Sequence, residues 1–479
     1  MSVIREVAPK ADHVDLIFDS AKYERQTFTF GDQSISCFAY ESIVYVSKPV
    51  DREHQILDIY IPAAYFEGGT VGSYHAETAP IFFPNAVGAY LPAKPIKPRV
   101  NRKGNPNASL VALTKGYVVV SPGARGRTLM DVHGRYTGKA PACIVDLKAA
   151  VRYLRYNRGN MPGDMGKIIA NGFSAGGALS ALLGVTGNSE DYEPYLKELG
   201  AAEAHDDIFA ASCYCPVTNL EHADSAYEWQ FSGVDMVELK NTKQMLTADQ
   251  RIIAEELKSL FPAYLNGLGL EVFEPTTVPV GMGRGTALSL DANGNGSFRD
   301  YVKSFLVASA QKAMTGSKGI FEYAWLTIDR EGCITDINLA QFFQYINRVK
   351  APPAFDTLDV HSPECGLFGS ESMDARHFTP YGSTHSTSHG IIADCAVIRL
   401  MNPMNYIGVE GNTAARFWRI RQGTLDRGSS LAVPIILAAK LQSAGLDVDC
   451  ELAWDQPHGG DYDMEELFAW IDRACAAEQ

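Results

Sequence analysis

Lys167-Ile168-Ile169-Ala170-Asn171-Gly172-Phe173-Ser174-Ala175-Gly176-Gly177-Ala178-Leu179-Ser180-Ala181-Leu182-Leu183 is the stretch that decides the fold of this 479-residue chain. An apolar run of strand length ends in a glycine-flanked serine, and an alanine- and leucine-rich helix follows at once. Gly172-Phe173-Ser174-Ala175-Gly176 is a G-x-S-x-G match placed as that motif requires, after a strand and before a helix. Its glycines permit a strained turn that holds the serine hydroxyl clear of the backbone. Ser174 is therefore the expected nucleophile; the competing reading is an ordinary glycine-rich turn.

Outward from this turn the same alternation recurs. Ile81-Phe82-Phe83 and Tyr117-Val118-Val119-Val120 are short apolar runs closed by proline and glycine, as buried parallel strands are. Ile144, Leu147, Val151 and Leu154 recur at helical steps between Pro141 and Tyr156. Ile43–Val46 and Leu57–Ile61 read as antiparallel edge strands, and Leu431–Leu441 as a helix stopped by Gly445 before a strand at Val448–Ala453. Between Cys215 and Cys395 the alternation weakens: helical stretches at Leu246–Leu260 and Asp300–Met314 stand among glycine clusters such as Gly281–Gly285. The pattern predicts an α/β fold, a mostly parallel sheet flanked by helices, with core segments 1–215 and 396–479 and an inserted lid over 216–395.

Composition narrows the function. With 46% hydrophobic and 20% charged residues the chain is globular, neither disordered nor fibrous. A net charge of −14 opposes an electrostatic grip on nucleic acid or anionic lipid, so small-molecule chemistry is favoured. The start shows no basic segment followed by an apolar run, and the longest apolar stretch, Leu431–Ala439, is about half of the ~20 residues a membrane span needs. Nine scattered cysteines without a CxxC or zinc-ligand spacing read as reduced thiols in a cytoplasm.

A serine hydroxyl attacks only when a histidine takes its proton and an acid steadies that histidine. His458, in Asp455-Gln456-Pro457-His458-Gly459-Gly460 after the last expected strand, is the candidate base. Asp426, just before the last long helix, is the candidate acid, with Asp455 and Asp461 behind it and a helix cap as its structural alternative. The chain order Ser174, Asp426, His458 is the α/β-hydrolase order. Two backbone N–H groups must hold the oxyanion: Ala175 follows the nucleophile, and Gly88 lies in Pro84-Asn85-Ala86-Val87-Gly88 after an earlier strand. Asp291-Ala292-Asn293-Gly294-Asn295-Gly296 resembles the start of an EF-hand loop, yet Val302 stands where a glutamate should close it, so a glycine-rich turn is expected. His385 and His389 lack a completing carboxylate, and no resident metal or cofactor is expected.

From about Ile81 onward the chain resembles the bacterial tannases of the smaller, cytoplasmic type, serine esterases of the α/β-hydrolase fold that cleave galloyl esters. The matching stretches are Phe83-Pro84-Asn85-Ala86-Val87-Gly88, Gly172–Ser180, Cys215-Pro216-Val217-Thr218-Asn219-Leu220, Lys350-Ala351-Pro352-Pro353-Ala354-Phe355-Asp356, Leu367-Phe368-Gly369 and the two triad segments. Phe173 and Gly459 stand where the larger, secreted type carries bridged cysteines. The resemblance implies Ser174, Asp426 and His458 as triad, Gly88 and Ala175 as oxyanion donors, and Lys350 and Glu364 as lid residues that recognise galloyl hydroxyls. It also leads one to expect an aspartate two residues after Asp426, where this chain has Gly428. Arg427 is then the candidate to take over that contact, and a preference for gallate narrower than the family's is expected. The partner is a small aromatic ester; an esterase for hydroxycinnamoyl or other aromatic esters is the alternative, ahead of a peptidase or a non-catalytic binding module.

Overall fold

Runs such as Val118–Val120 and Ile168–Ala170 are buried on both faces, which only strands sandwiched between helix layers can be. They form the middle of a nine-stranded sheet. The computed structural model describes residues 13–239, 242–272, 285–316 and 323–477. In chain order the first seven strands are β1 (Glu24–Phe30), β2 (Gln33–Val44), β3 (Ile56–Pro62), β4 (Pro80–Pro84), β5 (Val118–Pro122), β6 (Asp164–Phe173) and β7 (Ala210–Tyr214). Two hairpins, β8 (Met236–Leu239) with β9 (Thr242–Met245) and β10 (Leu326–Ile328) with β11 (Ile334–Ile337), stand apart, and β12 (Phe417–Gly423) and β13 (Asp447–Ala453) complete the sheet.

The sheet order is β1-β2-β3-β5-β4-β6-β7-β12-β13. From β5 to β13 every pairing is parallel, while β1, β2 and β3 add an antiparallel end. This is the mostly parallel α/β architecture expected. The stretches expected as edge strands fall in β2 and β3, but the edge itself is β1, and Val46 only bridges Ala201 beyond the end of β2.

Helices α1 (Ala108–Thr114), α2 (Ala142–Tyr156), α3 (Ala175–Val185) and α4 (Glu193–Glu198) alternate with the core strands, and α3 packs on β6 and β7. Between the sheet neighbours β7 and β12 lie α5 (Leu220–Gln230), α6 (Ala248–Gly267), α7 (Ser297–Gly316), α8 (Leu339–Ile346), α9 (Pro363–Leu367), α10 (Pro380–Thr384) and α11 (Cys395–Leu400). The stretch expected as a lid lies inside this interval. Of its glycine cluster, residues 281–284 fall outside the described residues. Helices α12 (Ala432–Ser443) and α13 (Met464–Ala476) close the chain, and Gly445, with φ +79°, turns it back after α12.

Two cations buried in the core share one carboxylate. Lys148 and Arg152, four residues apart on α2, both reach the fully buried Asp206, at 2.7 and 2.8 Å. Asp206 also accepts the Asn188 amide at 2.7 Å, so one carboxylate pins α2 to the turn after α3. Asp206→Ala would leave the fully buried Lys148 without a carboxylate while Arg152 keeps Glu193, a loss of about 3–5 kcal/mol. Chemical denaturation should show a drop of that order, whereas the surface variant Asp19→Ala should change stability by less than about 0.5 kcal/mol.

Candidate active site

Ser174 is held at φ +57° and ψ −126°, a conformation that costs a non-glycine residue about 1–3 kcal/mol. Its neighbours make that turn possible. A Cβ on Gly172 would stand 2.4 Å from the Gly176 oxygen, and one on Gly177 would stand 2.6 Å from the Tyr214 oxygen. Only glycine lets β6, the turn and α3 pass so closely. The Ser174 amide donates to Tyr214 at 3.0 Å, which locks the turn to β7, and its hydroxyl makes no helix-capping bond.

Acid and base come from the ends of the last two strands. Parallel pairing sets Gly423 beside Ala453, and the loops beyond stay zipped: Leu425 donates to Gln456 at 3.0 Å and Asp455 to the Thr424 hydroxyl at 2.9 Å. A Cβ on Gly423 would stand 2.1 Å from the Gln456 oxygen. This closeness carries His458 Nδ1 to 2.7 Å from Asp426 Oδ2. Asp426 is fully buried and accepts from Gln422 Nε2 at 2.7 Å and from the Gly428 amide at 2.8 Å, so it is a bonded carboxylate and caps no helix. Asp461 instead accepts from Asn171 at 3.0 Å. The His458 loop lies against the Ser174 turn, because a Cβ on Gly460 would meet that of Phe173 at 2.9 Å.

Cys215, directly after β7, has φ +43° and donates its thiol to the Gly459 oxygen at 3.3 Å; no local pattern marks it for a role. It stands beside His458. Burial disfavours a charge on that imidazole, but Asp426 and Cys215 outweigh burial and hold His458 well above the ordinary imidazole value.

The loop after β4 is fastened to the same turn. Asn85 Nδ2 donates to the Gly176 oxygen at 3.0 Å and lies 3.1 Å from the Ser180 hydroxyl, so the backbone of Gly88 is carried on a strut from the first turn of α3. A Cβ at Gly88 would meet nothing within 4 Å, so the fold itself does not require glycine there. The strain falls next door, on Ala89 and Tyr90, with φ +46° and +54°.

Lys350 and Glu364, from the segment between β7 and β12, act on each other, and Lys350 also feels Asp426. Burial pulls Lys350 below the ordinary lysine value, against the attraction of Glu364, Asp224 and Asp426. Burial pushes Glu364 up, opposed first by Lys350 and, more weakly, by Arg127. The Lys350 ammonium sits 3.6 Å from the centre of the Phe355 ring. Its backbone is fixed twice: the Tyr227 hydroxyl accepts its amide at 3.3 Å and donates to the Arg427 oxygen at 2.9 Å, and Arg348, paired with the buried Glu228, donates to its carbonyl at 2.9 Å. Tyr227 lies 123 residues from Lys350, and Glu228, which holds Arg348, lies 120 residues from it, separations that no local pattern signals.

Arg427 is not brought to this group: its guanidinium donates to Glu238 at 2.9 Å and to the Ile346 oxygen. Gly428 lies outside the left-handed region, so backbone conformation is no obstacle to a side chain; an added Cβ would instead stand 3.3 Å from Asp426 Oδ1. Asp291 forms a turn by accepting the amides of Asn293 and Asn295, both at 2.9 Å, and the Gly294 oxygen accepts from Trp229. His385 ends α10 and His389 lies beyond it at φ +56°, so the two share no helix.

A family profile described as BD-FAE matches residues 100–264. The esterase LipC of Mycobacterium tuberculosis is 37% identical over 87 residues, 18% of this chain, and the chain spans only 22% of its length. The crystal structure of Fusobacterium nucleatum tannase is 46% identical, covers 96% of this chain and 99% of its own, and superposes with a TM-score of 0.90. Two tannin acyl hydrolase structures, one in complex with ethyl gallate and one with 3,4-dihydroxybenzoate, are similar at 44% and 45% identity with the same coverage and TM-score.

A raised imidazole value keeps His458 protonated, and so unable to act as base, to higher pH. kcat/KM for a chromogenic ester should therefore rise with pH along a limb lying above the ordinary imidazole value. Cys215→Ala removes one raising contribution, so its acid limb should move to lower pH. A limb that stays in place would show that the thiol does not act on the imidazole.

Proposed function

The chain belongs to the tannase family and is a carboxylic-ester hydrolase; on that premise we propose that it hydrolyses galloyl and related hydroxybenzoyl esters with Ser174 as nucleophile. The Ser174 oxygen attacks the ester carbonyl while His458 accepts its proton, and Asp426 at 2.7 Å steadies the imidazolium. The N–H groups of Gly88 and Ala175 receive the developing oxyanion. The alcohol leaves with the proton from His458, and a water activated by the same imidazole releases the aromatic acid.

The observation that carries the ring preference is that Lys350 lies within the electrostatic influence of both Glu364 and Asp426. A half-buried ammonium can donate to ring hydroxyls and a half-buried carboxylate can accept from them, groups that a plain acyl chain does not offer. In this reading 216–395 is the lid, for it supplies both residues, and the nine free thiols favour a reducing, cytoplasmic setting. Among the described residues no helix is long and apolar enough to cross a membrane.

Ser174→Ala should lower kcat by several orders of magnitude while substrate still binds, and a fluorophosphonate should label no other serine. Lys350→Ala and Glu364→Ala should reduce kcat/KM far more for methyl gallate than for p-nitrophenyl acetate; equal losses on both would assign them to folding instead.

Gly428 offers ring hydroxyls no carboxylate, so the preference for methyl gallate over methyl protocatechuate should be modest, with loss of one hydroxyl costing less than about 1–3 kcal/mol. Strong discrimination by the wild-type enzyme would overturn that expectation.

A further inference from the structure

Three different donor types meet at the triad. The thiol of Cys215, an imidazole nitrogen of His458 and a carboxylate oxygen of Asp426 all lie within 4.8 Å of one another. Sulfur, nitrogen and oxygen donors so placed suit a borderline-soft divalent cation such as Zn²⁺, and they offer Mg²⁺ or Ca²⁺ too few oxygens. The thiol donates to the Gly459 oxygen at 3.3 Å and otherwise faces His458, a ligand of the same site, so ligation displaces one long bond. Entry is through His458, whose side chain is 34% exposed.

A second cluster of the same types, Asp356, Cys365 and His377, lacks both properties. All three are fully buried, and Asp356 already accepts from His377, from Cys365 and from the Phe378 and Thr379 amides. It is a finished structural knot.

We propose that Cys215, His458 and Asp426 form an inhibitory site for a soft divalent cation, through which Zn²⁺ reversibly switches the esterase off. On binding, the Cys215 sulfur forms a bond to the metal and its proton passes to solvent, with no change of oxidation state. The imidazole and carboxylate that the metal takes are those the reaction needs, so occupancy and turnover exclude each other. The inhibition rests on the triad proposed above; the binding does not.

Two measurements test this. In the first, hydrolysis is titrated with Zn²⁺ and with Mg²⁺, each protein normalised to its own metal-free rate. Zn²⁺ should inhibit, EDTA should restore activity, and Mg²⁺ should have no effect. Cys215→Ala and the milder Cys215→Ser should raise the inhibition constant more than about tenfold, while Cys365→Ser should leave it unchanged. In the second, Co²⁺ is titrated into Ser174→Ala, which needs no turnover. A thiolate-to-cobalt charge-transfer band should appear, and it should vanish in Ser174→Ala/Cys215→Ala. Equal inhibition constants with and without Cys215, or a cobalt band that survives its loss, would overturn the site and assign the metal to the exposed Cys333 or Cys395. The band with no inhibition would overturn the switch while leaving the metal site. Turnover retained by Ser174→Ala would instead refute the assigned nucleophile.

Discussion

Everything in this enzyme is arranged around one crowded backbone crossing. For Ser174 to stand at φ +57°, β6, the turn and α3 must approach β7 and the loop after β4 more closely than any Cβ would allow. Glycines at 172, 176 and 177 remove the atoms in the way, and Asn85 and Tyr214 supply the bonds that hold the strained turn. The strain is worth keeping because it presents a hydroxyl at the carboxyl edge of a parallel sheet, where the loops of neighbouring strands also end. The loops after β12 and β13, zipped to each other by backbone bonds, bring acid and base to that edge.

A second theme is the control of buried charge. Asp426, Lys350, Glu364 and Asp224 all lie close to the site, and each is tolerable only because the others or backbone amides answer it. A carboxylate or ammonium stripped of water and given a fixed partner is a stronger recognition element than the same group at the surface. The inserted segment brings Lys350 and Glu364 there on rigid supports. Tyr227 couples the backbone of Lys350 to that of Arg427, next to the triad acid, and Asp356 knots the segment carrying Glu364 to the one carrying Phe355. Lys350 and the loop of Asp426 are thus parts of one hydrogen-bonded body.

The departure at residue 428 shows how such a body constrains change. Glycine there donates its amide to Asp426 Oδ1, and a side chain would begin 3.3 Å from that same oxygen. A carboxylate introduced at this place would stand against Asp426 and near His458, so it would also bear on the charge of that imidazole.

Short-range order was legible in the amino-acid sequence. The strand-turn-helix around Ser174, the apolar runs that became β4, β5 and β6, and the helix α2 all depend on residues within a few positions of each other, where steric limits on the backbone and the period of apolar side chains act directly. The edge strand β1 was missed because its half-exposed pattern carries little apolar signal. Other features belong to the tertiary structure alone. Cys215 beside His458, Arg427 turned away to Glu238, Tyr227 bracing Lys350, and Glu228 holding Arg348 each join segments far apart in the chain. Such contacts exist only after the sheet order has brought distant strand ends to one edge, and no local propensity encodes which buried donor will meet which acceptor there.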